Sequence, residues 1–165
     1  MADTENKILH LAESARQLNN AFLEILENRY GFHRKVSFRA SEDEFFGEQF
    51  YRADTSGDYS CRWSNGAFRE ANIYIPISRK EPKLLKIYGR VVSGLKLDSL
   101  SIYVDLEPAP FDLDDRGDGA AVLSIDLPEW SSKSITLISV CNVIGETKTI
   151  DGREVFFCFE ALSVE

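Results

Sequence analysis

The stretch that decides the fold is residues 84–106, LLKIYGRVVSGLKLDSLSIYVDL. Apolar and polar residues alternate with a period of two on both sides of Ser93-Gly94, as is typical of β-strands with one buried face. The alternation therefore predicts an inward and an outward set of side chains. The inward set is Leu85, Ile87, Gly89, Val91, Leu100, Ile102, Val104 and Leu106, and the outward set includes Lys86, Tyr88, Arg90, Ser101, Tyr103 and Asp105.

The same period continues on both sides of this stretch. The predicted strands are residues 36–40, 48–52, 59–63, 71–77, 84–92, 99–106, 121–127, 134–143 and 154–163. Gly-containing turn signals separate several of them, and no helix-length apolar period lies between them, which argues against a parallel sheet with crossover helices. We therefore expect a mainly β domain over residues 32–165, a two-sheet antiparallel β-sandwich of the jelly-roll type.

Residues 1–31 are predicted to form a separate N-terminal amphipathic α-helix. Residues 5–29 contain no Pro or Gly, and Gly31 follows where a left-handed helix cap is common. An apolar seam recurs in steps of three and four, formed by Ile8, Leu11, Ala15, Leu18, Phe22 and Ile25. Two outcomes are open: the helix packs on its own sandwich, or it joins copies of the chain in a short coiled coil.

The charge composition of the chain argues against some classes of binding partner. Lys and Arg number 19 and Asp and Glu number 27, and the net charge of -8 argues against nucleic acid or an anionic membrane surface. No apolar run is long enough to cross a membrane, and the polar N-terminus does not resemble a signal peptide, so we expect a cytoplasmic protein. Cys61, Cys141 and Cys158 fall in predicted strands, and we expect buried thiols and no metal or cofactor.

Catalytic motifs are missing from the sequence. It has no nucleophile elbow, no zinc-binding His-Glu-x-x-His and no phosphate-binding glycine loop, and the only histidines are His10 and His33. We therefore expect no enzymatic activity, with a small hydrolase or transferase as the weakest alternative. Asp112, Asp114, Asp115 and Asp118 form a dense acidic segment, for which a solvated turn is favoured over a calcium site.

Outward aromatic residues are the candidate ligand contacts. Tyr or Trp rings stack on the apolar faces of sugars, and charged or amide groups beside them bind hydroxyls. Tyr74, Tyr88 and Tyr103 are assigned to strands that could be neighbours, with Arg90 and Asp105 beside them. The full set of candidates is Tyr74, Tyr88, Tyr103, Trp63, Arg62, Arg90, Asp105 and Asn65. The alternatives are that the N-terminal helix covers this sheet face and that Trp63 is a core or rim residue.

Residues 47–77, GEQFYRADTSGDYSCRWSNGAFREANIYIPI, carry a family resemblance. They resemble the opening of carbohydrate-binding-like (galactose-binding-like) jelly-roll modules associated with bacterial glycosyltransferases and polysaccharide-assembly proteins. The matching positions are Phe50-Tyr51, Asp54, Gly57, Arg62-Trp63 and residues 73–76, and residues 100–105 and 123–128 resemble later strands. The resemblance implies a two-sheet jelly roll with a binding or accessory role, in which Arg62 pairs with an acidic residue such as Asp54.

Two functions follow from these observations. The leading one is a non-catalytic carbohydrate-binding-like or accessory module linked to glycan synthesis or recognition. The alternative is an assembly protein that forms a homo-oligomer through the N-terminal helix and contacts a protein partner with the sandwich.

Overall fold

The structure is a computed structural model, and it describes residues 36–41, 47–56, 59–77, 79–92, 99–130 and 135–165. Within these ranges the regular elements are strands. They are β1 (Val36–Arg39), β2 (Gly47–Glu48), β3 (Asp54–Ser56), β4 (Tyr59–Trp63), β5 (Glu70–Ile75), β6 (Lys83–Val91), β7 (Leu100–Val104), β8 (Glu107–Ala109), β9 (Asp112–Gly117), β10 (Ala120–Leu127), β11 (Thr136–Asn142), β12 (Lys148–Ile150), β13 (Arg153–Val155) and β14 (Phe157–Val164).

Two antiparallel sheets contain most of these strands. The seven-stranded sheet has the order β3-β4-β14-β6-β10-β9, with β1 also paired to β14, and the five-stranded sheet has the order β2-β5-β11-β7-β8. Strands β12 and β13 form a separate hairpin. The predicted mainly β, two-sheet antiparallel fold is confirmed at this level, whereas jelly-roll connectivity stays a prediction.

The core lies between the two sheets. Buried residues such as Ile73 and Ile138 from the five-stranded sheet belong to one cluster with Leu85 and Phe159 from the seven-stranded sheet. The Phe50 ring lies edge-on to the Phe159 ring, with centroids 6.2 Å apart. Burial of each such side chain contributes roughly 1.5–3 kcal/mol, so this cluster accounts for the pairing of the sheets. The predicted inward positions of strands β6 and β7 are confirmed by their burial.

Strand β14 is buried on both faces at its apolar start, residues 157–159. Phe157, Cys158 and Phe159 are each 0% exposed. Gly89 of β6 faces this strand, and a Cβ there would meet the Cys158 carbonyl oxygen and the Phe157 ring. The predicted strand over residues 154–163 is divided, because pairing changes between β13 and β14 on either side of Phe156.

Two predictions from the sequence are wrong, one of them in part. Leu106 is not inward but 76% exposed, because the chain turns at Asp105 and Leu106, where φ is positive at both residues. Most of the acidic segment is not a turn, because residues Asp112–Gly117 form the edge strand β9, all of it exposed, and only Asp118 of the segment lies in a turn. Charges on an edge strand oppose pairing with another chain, which explains why so acidic a segment is tolerated there.

The predicted N-terminal helix and the division of the chain at residue 31 lie outside the described residues. Self-association through that helix, and the alternative of packing on the sandwich, stay predictions. In the described ranges no helix has the length and apolar character needed to cross a membrane. Cys61 and Cys158 are buried as predicted, whereas Cys141 is only partly buried.

Candidate functional site

The outer face of the five-stranded sheet, meaning the side that points away from the seven-stranded sheet, carries the candidate site. Strand β11 pairs with β5 on one side and β7 on the other, so residues in register form rows across the face. One row contains Asn72, Ser139 and Tyr103, and the next contains Glu70, Cys141 and Ser101. Because side chains alternate along a strand, both rows point outward together.

Hydrogen bonds fix the polar part of this face. The Ser139 hydroxyl donates to the Asn72 side-chain oxygen at 2.6 Å, and the Asn72 amide donates to the Gln49 side-chain oxygen at 3.3 Å. The Tyr74 hydroxyl donates to the Glu48 carboxylate at 3.0 Å. Asn72 and Ser139 are 8% and 5% exposed, so their positions are set before any ligand arrives.

A groove of about 750 Å³ lies over these rows. It is open to solvent, and its surface is mainly apolar with polar groups between. The residues that line it are Ala67, Phe68, Arg69, Glu70, Tyr103, Leu106, Ser139, Cys141, Asn142 and Val143. Groove volumes of 300–1,000 Å³ are usual for small-molecule sites, so the size suits a ligand of several rings.

Two turns that are held by side-chain hydrogen bonds form one end of the groove. Asn65 begins a turn in which its carbonyl oxygen accepts from Phe68 N at 3.0 Å and its side-chain oxygen accepts from Ala67 N at 3.1 Å. The Asn142 side chain holds the next turn, accepting from Gly145 N at 3.0 Å. These turns present Phe68 and Val143, which are 49% and 61% exposed. The two side chains make this end of the groove apolar.

The opposite end of the groove is formed by Leu106, in the turn between β7 and β8. Asn142 pairs with Leu100 at the start of β7, and Leu137 N donates to Asp105 at 2.9 Å beside the turn. These two contacts are five residues apart on β11, which corresponds to about 17 Å. The groove therefore runs along the strands between two apolar ends.

Two carboxylates on this face, Glu48 and Glu70, shift the pKa values of neighbouring groups. Burial, the hydrogen bond to Glu48 and the charges of Glu48 and Glu70 raise the pKa of Tyr74 to about 12. Burial and the charge of Glu70 raise the pKa of the Cys141 thiol. Both groups are therefore protonated at neutral pH. In the described part of the chain, no group of three or more His, Cys, Asp or Glu side chains is placed to hold a metal.

The structure divides the predicted site residues between the two sheets. Tyr74 and Tyr103 share the outer face of the five-stranded sheet, and Asp105 follows at the end of β7. Tyr88 and Arg90 lie on the outer face of the seven-stranded sheet, so the expectation that the three tyrosines are neighbours is wrong. Strands β6 and β7 are consecutive along the chain but belong to different sheets.

The other predicted site residues make structural contacts. Arg62 Nε donates to the Ala40 carbonyl oxygen at 2.6 Å, rather than pairing with Asp54. Asp54 instead binds the Arg153 guanidinium at 2.8 and 3.2 Å. Trp63 is partly buried at the end of β4, where it pairs with Cys158 of β14. Arg90 Nε donates to Glu160 at 2.7 Å.

Several groove residues were missed from the sequence. Ser139 and Cys141 follow the same alternation that marked Tyr103, and the pattern of residues 134–143 could have placed them outward. Phe68 and Val143 carry no such signal, because they lie in turns whose shape depends on hydrogen bonds from Asn65 and Asn142.

The chain resembles several solved structures weakly. No family model and no curated protein matches the chain. Among solved structures it is similar to catalytic domains of GH87 α-1,3-glucanase, one in complex with tetrasaccharides (TM-score 0.42, 11% identity, 80% of this chain and 28% of that chain). A second, in complex with nigerose, gives a TM-score of 0.41 at 11% identity, with the same coverage. The chain thus spans less than a third of each matched chain, and so weak a likeness assigns neither reaction nor substrate.

The expectation that the chain is not an enzyme is corrected by this comparison. The solved structures that the chain resembles are catalytic domains. Missing sequence motifs were a poor basis for that expectation, because glycoside hydrolysis needs only two carboxylates in the right places and no local motif.

Proposed function

We propose that the chain binds carbohydrate in the groove on the outer face of the five-stranded sheet. The observation that carries the proposal is the row of Asn72, Ser139 and Tyr103, in which an aromatic ring lies in register with polar groups already fixed by hydrogen bonds. The galactose-binding-like jelly roll that the sequence resembles is part of the same proposal.

Sugars need both kinds of surface that the groove offers. The apolar face of a pyranose ring packs on an aromatic ring, and its hydroxyls need hydrogen-bonding groups at the ring edge. Tyr103 supplies the ring, and the Ser139 hydroxyl lies beside it in the same row. Since Ser139 and Asn72 are held in place, little side-chain entropy would be lost on binding.

Tyr74 provides a second aromatic contact on the same face. It lies on β5, two strands from Tyr103, which corresponds to a lateral separation of about 10 Å. Its hydroxyl is held by Glu48, which fixes the ring. Two tyrosines at this spacing, Tyr103 in the groove lining and Tyr74 outside it on the same face, favour an oligosaccharide over a single sugar.

A glycan array with matched tyrosine variants tests the proposal. Tyr103→Ala removes an outward tyrosine from the groove, and Tyr88→Ala removes an outward tyrosine from the opposite sheet. Both tyrosine side chains are partly exposed, so each variant removes a partly buried aromatic ring from the surface of one sheet. We expect the glycan signal of the unaltered chain to be lost in Tyr103→Ala and kept in Tyr88→Ala. Loss in Tyr88→Ala alone, or an array without signal, would overturn the proposal.

A further inference from the structure

Leu106 occupies a backbone position that normally excludes leucine. The pairing of Val104 with Glu107 leaves a two-residue turn, in which φ is +50° at Asp105 and +72° at Leu106. Turns with positive φ at both central residues usually carry Asn-Gly or Asp-Gly, because a Cβ is disfavoured at the second position. Asp105 follows this preference and Leu106 breaks it.

The surroundings fix the turn independently of Leu106. Asp105 accepts a hydrogen bond from Leu137 N at 2.9 Å and forms an ion pair with Arg79, which is only 2% exposed. The Arg79 guanidinium also lies over the Trp130 ring, 5.0 Å from its centroid. The leucine side chain adds little to this packing, because 76% of it is exposed. A leucine that the packing does not need, held in a conformation that disfavours it, is a reason to look for a function.

The groove beside Leu106 is close to neutral. Arg69 and Glu70 are the charged residues of its lining, one cation and one anion. An uncharged ligand matches this balance better than a uronic acid or a free amino sugar. The hydroxyls of Ser139 and Tyr103 lie between the apolar ends, so the matching ligand carries both hydrogen-bonding and apolar groups.

We propose, building on carbohydrate binding in this groove, that Leu106 is a specificity-determining contact for N-acetylhexosamine units. The acetamido methyl packs on the exposed leucine side chain, while hydroxyl and amide groups of the sugar hydrogen-bond the floor of the groove. The strained leucine is retained because glycine, which suits the turn better, offers nothing to that methyl.

Binding of three tetrasaccharides, which differ in charge and in acetylation, tests this inference. The full chain is titrated calorimetrically with a tetramer of N-acetylglucosamine, its fully deacetylated counterpart and a tetramer of β-1,4-linked glucose. We expect the acetylated tetramer to bind at least tenfold more tightly than the other two, since one apolar group in a fitted site changes affinity by roughly 10- to 200-fold. Leu106→Gly should lose this preference, and Leu106→Met should keep it.

Thermal unfolding of the same variants gives an independent readout. Leu106→Gly should unfold about 2–4 °C above the unaltered chain, because the strain is relieved. Binding loss together with higher stability excludes misfolding as the cause. Equal binding of the three tetramers, or unchanged preference in Leu106→Gly, overturns the role of Leu106 and leaves carbohydrate binding in place. Absence of binding to any tetramer and to a wider glycan array overturns both.

Discussion

Removing the charge of Asp105 tests how the groove is held together. Arg79 is 2% exposed and Asp105 is its ion-pair partner, so Asp105→Asn leaves a buried guanidinium without its counter-charge. Among the described residues Arg79 Nη1 has no hydrogen-bond partner, which adds to the imbalance. Removing one partner of a buried pair costs about 3–5 kcal/mol. Because asparagine tolerates positive φ and keeps an oxygen for Leu137 N, the turn itself is preserved.

We therefore expect Asp105→Asn to lower the free energy of unfolding by about 3 kcal/mol, which corresponds to a fall of about 6–12 °C in Tm for a chain of this size. Urea denaturation followed by circular dichroism measures the free energy. The double variant Arg79→Met/Asp105→Asn removes both charges and should lie within about 1 kcal/mol of the unaltered chain. A loss below 1 kcal/mol in Asp105→Asn, or a double variant less stable than the single one, would refute the reasoning.

Three further predictions follow from the contacts described. Gly89→Ala should destabilise the chain by about 3 kcal/mol in urea denaturation, because the new methyl would press on Phe157 and the backbone of β14. The pKa of Tyr74 is about 12 in the folded chain, against about 10 in the unfolded chain. The stability that its protonated hydroxyl contributes is therefore complete below pH 10 and is lost as the pH rises towards 12. Tyr74→Phe should remove this fall in the free energy of unfolding between about pH 10 and 12. Glu70→Gln should lower the pKa of Cys141 and speed its alkylation by iodoacetamide at a given pH.

Each of these predictions has a clear contrary result. A Gly89→Ala chain as stable as the original would mean that β6 and β14 can separate to admit a methyl. If the free energy of unfolding fell with pH equally in the Tyr74→Phe and unaltered chains, the fall would not come from Tyr74. Unchanged or slower alkylation in Glu70→Gln would mean that the carboxylate does not act on the thiol, and Glu107→Gln, outside the groove lining, serves as the charge-matched control.

Local alternation predicted much of the fold but not which strands share a sheet. The inward residues of β6 and β7 were assigned from the sequence because a period of two needs only neighbouring residues. Tyr88 and Tyr103 were expected to be neighbours, yet their strands pair in different sheets, and that choice depends on long-range contacts such as β6 with β14. Consecutive strands with the same pattern are therefore weak evidence for a shared surface.

Turn geometry accounts for most of what the sequence missed in the site. Leu106 continues the apolar alternation of β7, and nothing local indicates that Asp105 begins a turn held by Arg79, 26 residues earlier. Phe68 is likewise positioned by Asn65, which the sequence marked as a ligand contact and the structure uses as a turn residue. Side chains at such turns become visible only when their hydrogen bonds are known.

The most direct test of the groove is an amide chemical-shift titration of the assigned chain with a glycan that scores on the array. Binding on the outer face of the five-stranded sheet predicts shifts that concentrate at Asn72, Tyr103, Leu106 and Ser139, with β6 and β9 unmoved. Shifts centred on Tyr88 and the seven-stranded sheet would contradict the account.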